Sequence, residues 1–259
     1  MNTDVLRVER AGKVLVLRLN RPEKRNALNG PLVEALDAAL QAAEGDEELR
    51  VVLLRGEGPD FCAGADLSEL EATTSEGPEA SLAEARRLGG LFLRMRRHPR
   101  PIVAAVHGKV LAGGCGLATA CDLVLSHEEA QFGYPEVHLG FVPAMVMAIL
   151  RRKLTEGTAF ELVTLGNRIS ATEALRIGLV NRVFPKKSFE GDVEGIVREL
   201  ASRPKEAISL TKGLLYELAE MSFEDGIERG AEVNVQARET EECKAGVQAF
   251  LRKRRRPSP

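Results

Sequence analysis

The spacing of apolar positions divides the chain into alternating strands and helices. "VLRVER" and "VLVLRLN" flank the glycine of "AGK" and predict a hairpin. "NGPLVEALDAALQAAEG" puts Leu32, Leu36 and Leu40 on one helical face, with Pro31 in the first turn and Asn29 placed to cap it. "RVVLLRG" is an unbroken apolar run and reads as a buried strand. "SLAEARRLGGLFLRMRRHP" aligns Leu82, Ala85, Leu88, Phe92 and Met95 on one side of a second helix. "PIVAAVHG" and "DLVLS" follow as strands. "ISATEALRIGLVNRVFP" opens with a capping box from Ser170 to Glu173, stops at Gly178 and continues into a strand. From Gly191 onward only helical patterns remain. Strands separated by helices predict parallel pairing. The chain therefore reads as α/β, with a core over residues 1–190 and a helical region over 191–259.

Composition adds exclusions. At 259 residues, 44% hydrophobic and 29% charged, the chain has the profile of a globular protein. A net charge of −2 offers no general attraction to nucleic acid. The one basic cluster, "RKRRR" at Arg252–Arg256, lacks interleaved aromatics. Four cysteines without a CxxC pair read as reduced thiols, with Cys115 and Cys121 as small buried residues, and no apolar run approaches the ~18 residues of a membrane helix. The N-terminus has neither a signal-peptide core nor transit-peptide composition, so a cytoplasmic location is expected. Four scattered histidines give no metal spacing, and GxSxG and P-loop patterns are absent. "GCGLAT" falls one residue short of a dinucleotide fingerprint.

Two strand-to-helix junctions are rich in small residues. In "LAGGCGLATACD", Gly113 and Gly114 stand where a helix begins. Bare backbone there suits either an anionic oxygen approaching free N–H groups or a tight packing contact. "DFCAGADLSEL" repeats the arrangement, with Asp66 early in its helix. Two such donors converging on one oxygen would make an oxyanion hole.

The stretches "LNRPEKRNAL", "FCAGADL", "AAVHGKVLAGGCGLATACDLVLS", "AQFGYPEVHLGFVP", "GNRISATEALRIGLVNRVFP" and "AGVQAFLRKRRRP" together resemble the enoyl-CoA hydratase/isomerase (crotonase) family over essentially the whole chain. The resemblance implies a spiral of ββα units with a C-terminal helical region, assembled as homotrimers or dimers of trimers. It implies an acyl-CoA substrate, an enolate intermediate and no cofactor beyond the coenzyme A that the substrate carries. The N–H groups of Ala65 and Gly113 would hold the thioester oxygen. Arg25, Ala27 and Leu28 would line the adenine side of the CoA site, with Ala63, Asp66 and Leu67 near the pantetheine. Phe250 and Lys253 would reach a neighbouring subunit's CoA.

Hydration in the family pattern uses two glutamates. One is matched by Glu136 in "QFGYPEVHLG"; the other falls at Gly116 in "GGCGL". The apolar neighbours Tyr134, Val137, Leu139, Phe141 and Val142 are expected to desolvate Glu136 and raise its pKa. One carboxylate suffices for a 1,3-proton shift, whereas hydration needs a substitute acid, for which Asp66, Glu69 and His138 are candidates. His138 shares a face with Glu136 if that segment is extended. "PAMVMA" at Pro143–Ala148 stands where the family often has "PGAGGT", so Met145 and Met147 would either narrow the acyl pocket or repack the core. Loss of the second glutamate also leaves open a non-catalytic acyl-CoA- or RNA-binding homologue.

Overall fold

A computed structural model describes residues 3–254. The hairpin forms as β1 (Leu6–Ala11) and β2 (Val14–Leu19), followed by α1 (Gly30–Glu44) and β3 (Val51–Gly56). Two helices come next, α2 (Leu67–Glu76) and α3 (Pro78–Arg97), broken apart by Gly77 at φ +110°. Then come β4 (Ile102–Val106), β5 (Lys109–Leu111), α4 (Gly113–Ala120), β6 (Leu123–His127) and β7 (Gln131–Gly133). The chain continues through α5 (Ala144–Lys153), α6 (Glu156–Leu165), β8 (Ile169–Ser170), α7 (Ala171–Arg176) and β9 (Arg182–Phe184). It ends in α8 (Phe189–Ala201), α9 (Lys205–Glu217), α10 (Phe223–Glu239) and α11 (Glu241–Arg254).

The capping chemistry read from sequence is present. Asn29 accepts from the Leu32 N–H, and Ser170 from the Glu173 N–H. The main sheet runs β1-β2-β3-β4-β6-β9, antiparallel only between β1 and β2. Its central strand β3 is buried at every position, as its unbroken apolar run requires. α1, α3 and α4 cover one face of the sheet. The other receives Phe189, Val193 and Val197 of α8, which straddles residues 190 and 191.

A second sheet, β5-β7-β8, is not predicted by the periodicity, and neither is α6. "HGKVLA" reads as a turn, yet Lys109–Leu111 is a strand. It and β7 are three residues each, too short for alternation to register.

Candidate active site

Three parallel segments end together beside this small sheet. β5 and β7 pair with Val110 opposite Phe132 and Leu111 opposite Gly133. Cys62 makes a parallel bridge to Val110. Counting forward from that row, the chains leave side by side and carry Ala65, Gly113 and Glu136 out at one edge. Open α/β sheets bind ligands outside the carboxyl ends of their strands.

The amides are aimed by pairing on their other side. The Leu28 N–H donates to Gly64 O at 2.7 Å, and Leu28 O accepts from the Asp66 N–H at 2.8 Å. In a parallel bridge one residue bonds the two neighbours of its partner, so the N–H of Ala65 itself faces away from Leu28. Gly113 is the first residue of α4, where the N–H has no intrahelical acceptor. A Cβ on Gly113 would stand 3.8 Å from the Ala65 nitrogen, so the two donors flank one small volume.

The two glycines have separate duties. A Cβ on Gly114 would lie 2.4 Å from Cys62 O, so Gly114 is the packing contact and Gly113 the open donor. The bend that turns Gly113 outward is at Ala112, which has φ +50° and ψ −130°, a strained conformation for a residue with a Cβ.

Glu136 lies in a 3-10 turn, Pro135–Leu139, and not in an extended segment. It is buried, its Oε2 has no hydrogen-bond partner, and burial lifts its pKa above the usual glutamate range. The apolar residues expected to desolvate it do so only in part. Tyr134 is fully buried, but Leu139, Phe141 and Val142 are 68%, 49% and 57% exposed, because the turn swings them outward.

The three candidate second acids are engaged elsewhere. Asp66 caps α2 through Ser68 N–H and accepts from Arg21 at 2.9 Å; that hydrogen bond holds its carboxyl below the usual range. Glu69 accepts from Gly30 N–H at 2.7 Å, at the start of α1. His138 is two residues along the turn from Glu136, and its Nε2 meets Gly166 O at 3.2 Å. The 3-10 repeat of three residues places the two side chains on different faces.

At Gly116 there is no room for a side chain. Its Cβ would fall 2.2 Å from Val146 Cγ1 and 3.3 Å from Phe92 Cζ. Val146, not Met145 or Met147, fills this space: Val146 is buried, while Met147 is exposed. Cys62 and Cys115 are buried beneath the site, where burial pushes both thiols up to about 12, and Cys121 is raised by the same cause.

Arg25, Ala27, Leu28, Ala63, Asp66 and Leu67 are brought together along the Leu28–Ala65 bridge. The Ala63 N–H donates to Arg25 O at 3.0 Å. Arg25 and Asn26 both take left-handed φ values, 50° and 56°. Asn26 secures the bend from within, accepting from Arg21 N–H at 2.8 Å and donating to Glu57 O and Asp60 O. Phe250 is exposed on α11, on a different element from these residues. The Lys253 side chain and residues 255–259, hence Arg255 and Arg256 of the basic tail, lie outside the described residues.

Comparison with known proteins gives this edge its context. The sequence model described as enoyl-CoA hydratase/isomerase matches residues 9–257. The chain belongs to the enoyl-CoA hydratase/isomerase family. A Thermus thermophilus protein provisionally named an enoyl-CoA hydratase is 43% identical, over 94% of this chain and 96% of the relative. The short-chain-enoyl-CoA hydratase of Clostridium acetobutylicum is 34% identical, over 96% and 95%. A crystal structure of an enoyl-CoA hydratase from Mycobacterium smegmatis superimposes with a TM-score of 0.92 at 32% identity, covering 98% of each chain. The fold is the crotonase fold, and the chain is an acyl-CoA enzyme of this family.

Asn26, Ala112 and Val146 are the residues that sequence reasoning missed. Nothing in composition marks an alanine at positive φ. The bulk of Val146 matters only because α5 packs over α4. Asn26 stands within "LNRPEKRNAL", and an asparagine in a loop is itself a signal for a left-handed turn.

Proposed function

We propose that this chain catalyses a proton shift on an enoyl-CoA thioester, with Glu136 as the sole acid–base group and the Ala65 and Gly113 amides holding the thioester oxygen. The Glu136 carboxylate takes a proton from the α-carbon of a 3-enoyl thioester. The electron pair delocalises into the thioester carbonyl, and the oxyanion accepts both N–H groups. The protonated Glu136 then returns its proton to the γ-carbon, leaving a 2-enoyl thioester. No atom is gained or lost, and coenzyme A enters only as part of the substrate. The observation that carries this reading over hydration is the Val146 side chain packed against Gly116. A group that orients and protonates water opposite Glu136 has no place to stand there.

Arg25, Ala27, Leu28, Ala63, Asp66 and Leu67 would line the CoA portion. Phe250 and Lys253 would complete the site of a neighbouring copy in a homotrimer or dimer of trimers, within the cytoplasm.

Deuterium exchange at the acyl α-carbon tests the proposal, read beside turnover of 3-enoyl and 2-enoyl thioesters. Glu136→Gln is expected to lower exchange at least about 10²-fold while leaving acyl-CoA affinity nearly unchanged. Persistent exchange in that variant overturns the role of Glu136. Wild-type hydration of 2-enoyl-CoA that outpaces isomerisation makes the chain a hydratase. Acyl-CoA binding with neither exchange nor turnover makes it a non-catalytic binding protein.

A further inference from the structure

The pairing that aims the Ala65 amide belongs to neither sheet. Leu28 and Ala65 form an isolated parallel bridge. Two backbone hydrogen bonds flank Ala65, and one more, from the Ala63 N–H to Arg25 O, precedes them. Neither side of the bridge is held straight by a strand of its own. The residues before Leu28 include Arg25 and Asn26 at left-handed φ, and Ala65 follows Gly64 at φ +111°.

Arg21 spans this bridge. Its Nη1 donates to Ala27 O at 2.5 Å and its Nη2 to Asp66 Oδ2 at 2.9 Å. Ala27 is the residue before Leu28, and Asp66 is the residue after Ala65. One guanidinium therefore joins the two chains across the bridge. Its nitrogens lie in a rigid plane, so the fork sets the separation of its two acceptors. The fork has a fixed base: the Arg21 N–H donates to Asn26 Oδ1, and the Asn26 N–H to Arg21 O, both at 2.8 Å. The Arg21 and Asp66 side chains are only 12% and 13% exposed, so salt and water weaken the pair little.

The held segment also touches the second donor. A Cβ on Gly64 would lie 2.7 Å from Ala112 Cβ and 3.6 Å from the Gly113 nitrogen. The chain that Arg21 fastens thus rests against the bend that turns Gly113 outward.

We propose that Arg21 is a positioning residue for the oxyanion hole, its guanidinium holding the Leu28–Ala65 bridge in the geometry that presents the Ala65 amide to the thioester oxygen. The inference rests on the proposed role of that amide and is independent of the role of Glu136. A lysine cannot replace it, because a single ammonium lacks the planar fork that reaches both acceptors. A displaced donor costs the transition state more than the ground state, since charge on the oxygen develops only there.

Infrared spectroscopy of butanoyl-CoA labelled with carbon-13 at the thioester carbonyl, bound to the full-length protein, tests it. A hydrogen bond to the carbonyl lowers its stretching frequency, so wild type is expected to displace the band downward from its position in water. Arg21→Lys and Arg21→Gln are expected to lose most of that displacement. The kcat of α-carbon deuterium exchange is expected to fall about tenfold or more, with KM changing less. Arg21→Lys keeps a charge beside Asp66, and its unfolding temperature checks that it folds. Folded variants that keep the wild-type displacement overturn the role of Arg21 and leave the oxyanion hole standing; a lowered unfolding temperature beside an unchanged band makes Arg21 structural only. A variant that loses acyl-CoA affinity alone makes Arg21 a ligand of coenzyme A, which also overturns the proposal. A wild type that does not displace the band removes the Ala65 and Gly113 amides from the reaction, and the role of Arg21 with them.

Discussion

At the scale of the residue, burial of Glu136 links the proposed activity and stability with opposite signs. In the proposed role Glu136 is a base and must be ionised, so activity is expected to be lost as pH falls through its pKa. Burial raises that pKa, so the acid limb of kcat/KM is expected above the ordinary glutamate value of about 4.3. A limb at or below that value in the pH profile would contradict the burial. For folding, a raised carboxyl pKa means that the native state binds the proton more tightly than the unfolded chain. Its ionisation therefore costs stability as pH rises from the ordinary value through the native one. Glu136→Gln is expected to be more stable than wild type at neutral pH and equal to it in acid, as denaturant unfolding at the two pH values will show. Gly116→Glu, in contrast, drives a charged side chain into Val146 and Phe92, at a cost of more than about 3 kcal/mol. Val146→Ala removes the offending Cγ1 and leaves a Cβ at 3.4 Å from the new one, an ordinary contact. The double variant is expected to fold and to raise 2-enoyl hydration relative to isomerisation. A double variant that folds without any change in that ratio would show that space at Gly116 does not decide the reaction.

At the scale of the element, the start of α4 depends on two adjacent residues. Proline is tolerated at the first position of a helix, so Gly113→Pro removes the donor while keeping the helix. It also restricts the residue before it, and Ala112 is already strained. Ala112→Gly relieves both. Within that background, Gly113→Pro is expected to lower turnover roughly 10²–10³-fold; full activity in a folded protein would exclude the Gly113 amide. This junction also shows how far the sequence was readable. Long elements with a consistent period, such as α1 with its Leu32, Leu36 and Leu40 stripe, declare themselves. So do caps, because Asn29 and Ser170 act within three residues. β5 and β7 do not, since three residues cannot establish a period and their pairing is set by tertiary contacts. The identities of Ala65, Gly113 and Glu136 were readable from motifs. Their convergence rests on a register that only the folded chain displays, and the plug at Gly116 on a contact between helices 30 residues apart.

At the scale of the whole molecule, α9 is fastened to the sheet through Asp122. Lys212 of α9 meets Asp122 Oδ2 at 2.8 Å, and Tyr216 bonds the other carboxyl oxygen. The same Asp122 Oδ2 accepts from the Ile102 N–H at 2.6 Å, at the start of β4. Lys212→Met takes the ion-pair partner from this half-buried carboxylate, leaving it only the Tyr216 and Ile102 hydrogen bonds, and is expected to cost about 3 kcal/mol in urea unfolding. A loss under about 1 kcal/mol would mean that Asp122 is solvated. Beyond this anchor, Leu215, Phe223, Ile227 and Phe250 are exposed apolar residues on α9, α10 and α11. Surfaces of this kind mark association. Sedimentation is expected to show a trimer or hexamer, and a stable, active monomer would refute the proposed sharing of Phe250 and Lys253 between copies.

The side-by-side exit of the three segments makes the site intolerant of changes in chain length. Adjacent residues of an extended chain point their N–H groups to opposite sides. One residue gained or lost between Val110 and Gly113 would turn the donor inward, although every side chain survived. The same holds between Cys62 and Ala65, and a change between Phe132 and Glu136 would displace the carboxylate along its 3-10 turn. The hairpin loop at Gly12, at the far edge of the main sheet, has no such constraint. An insertion scan is therefore expected to trace the proposed catalytic edge as a silent strip in an otherwise permissive surface, and to find it without any substitution of a reactive group.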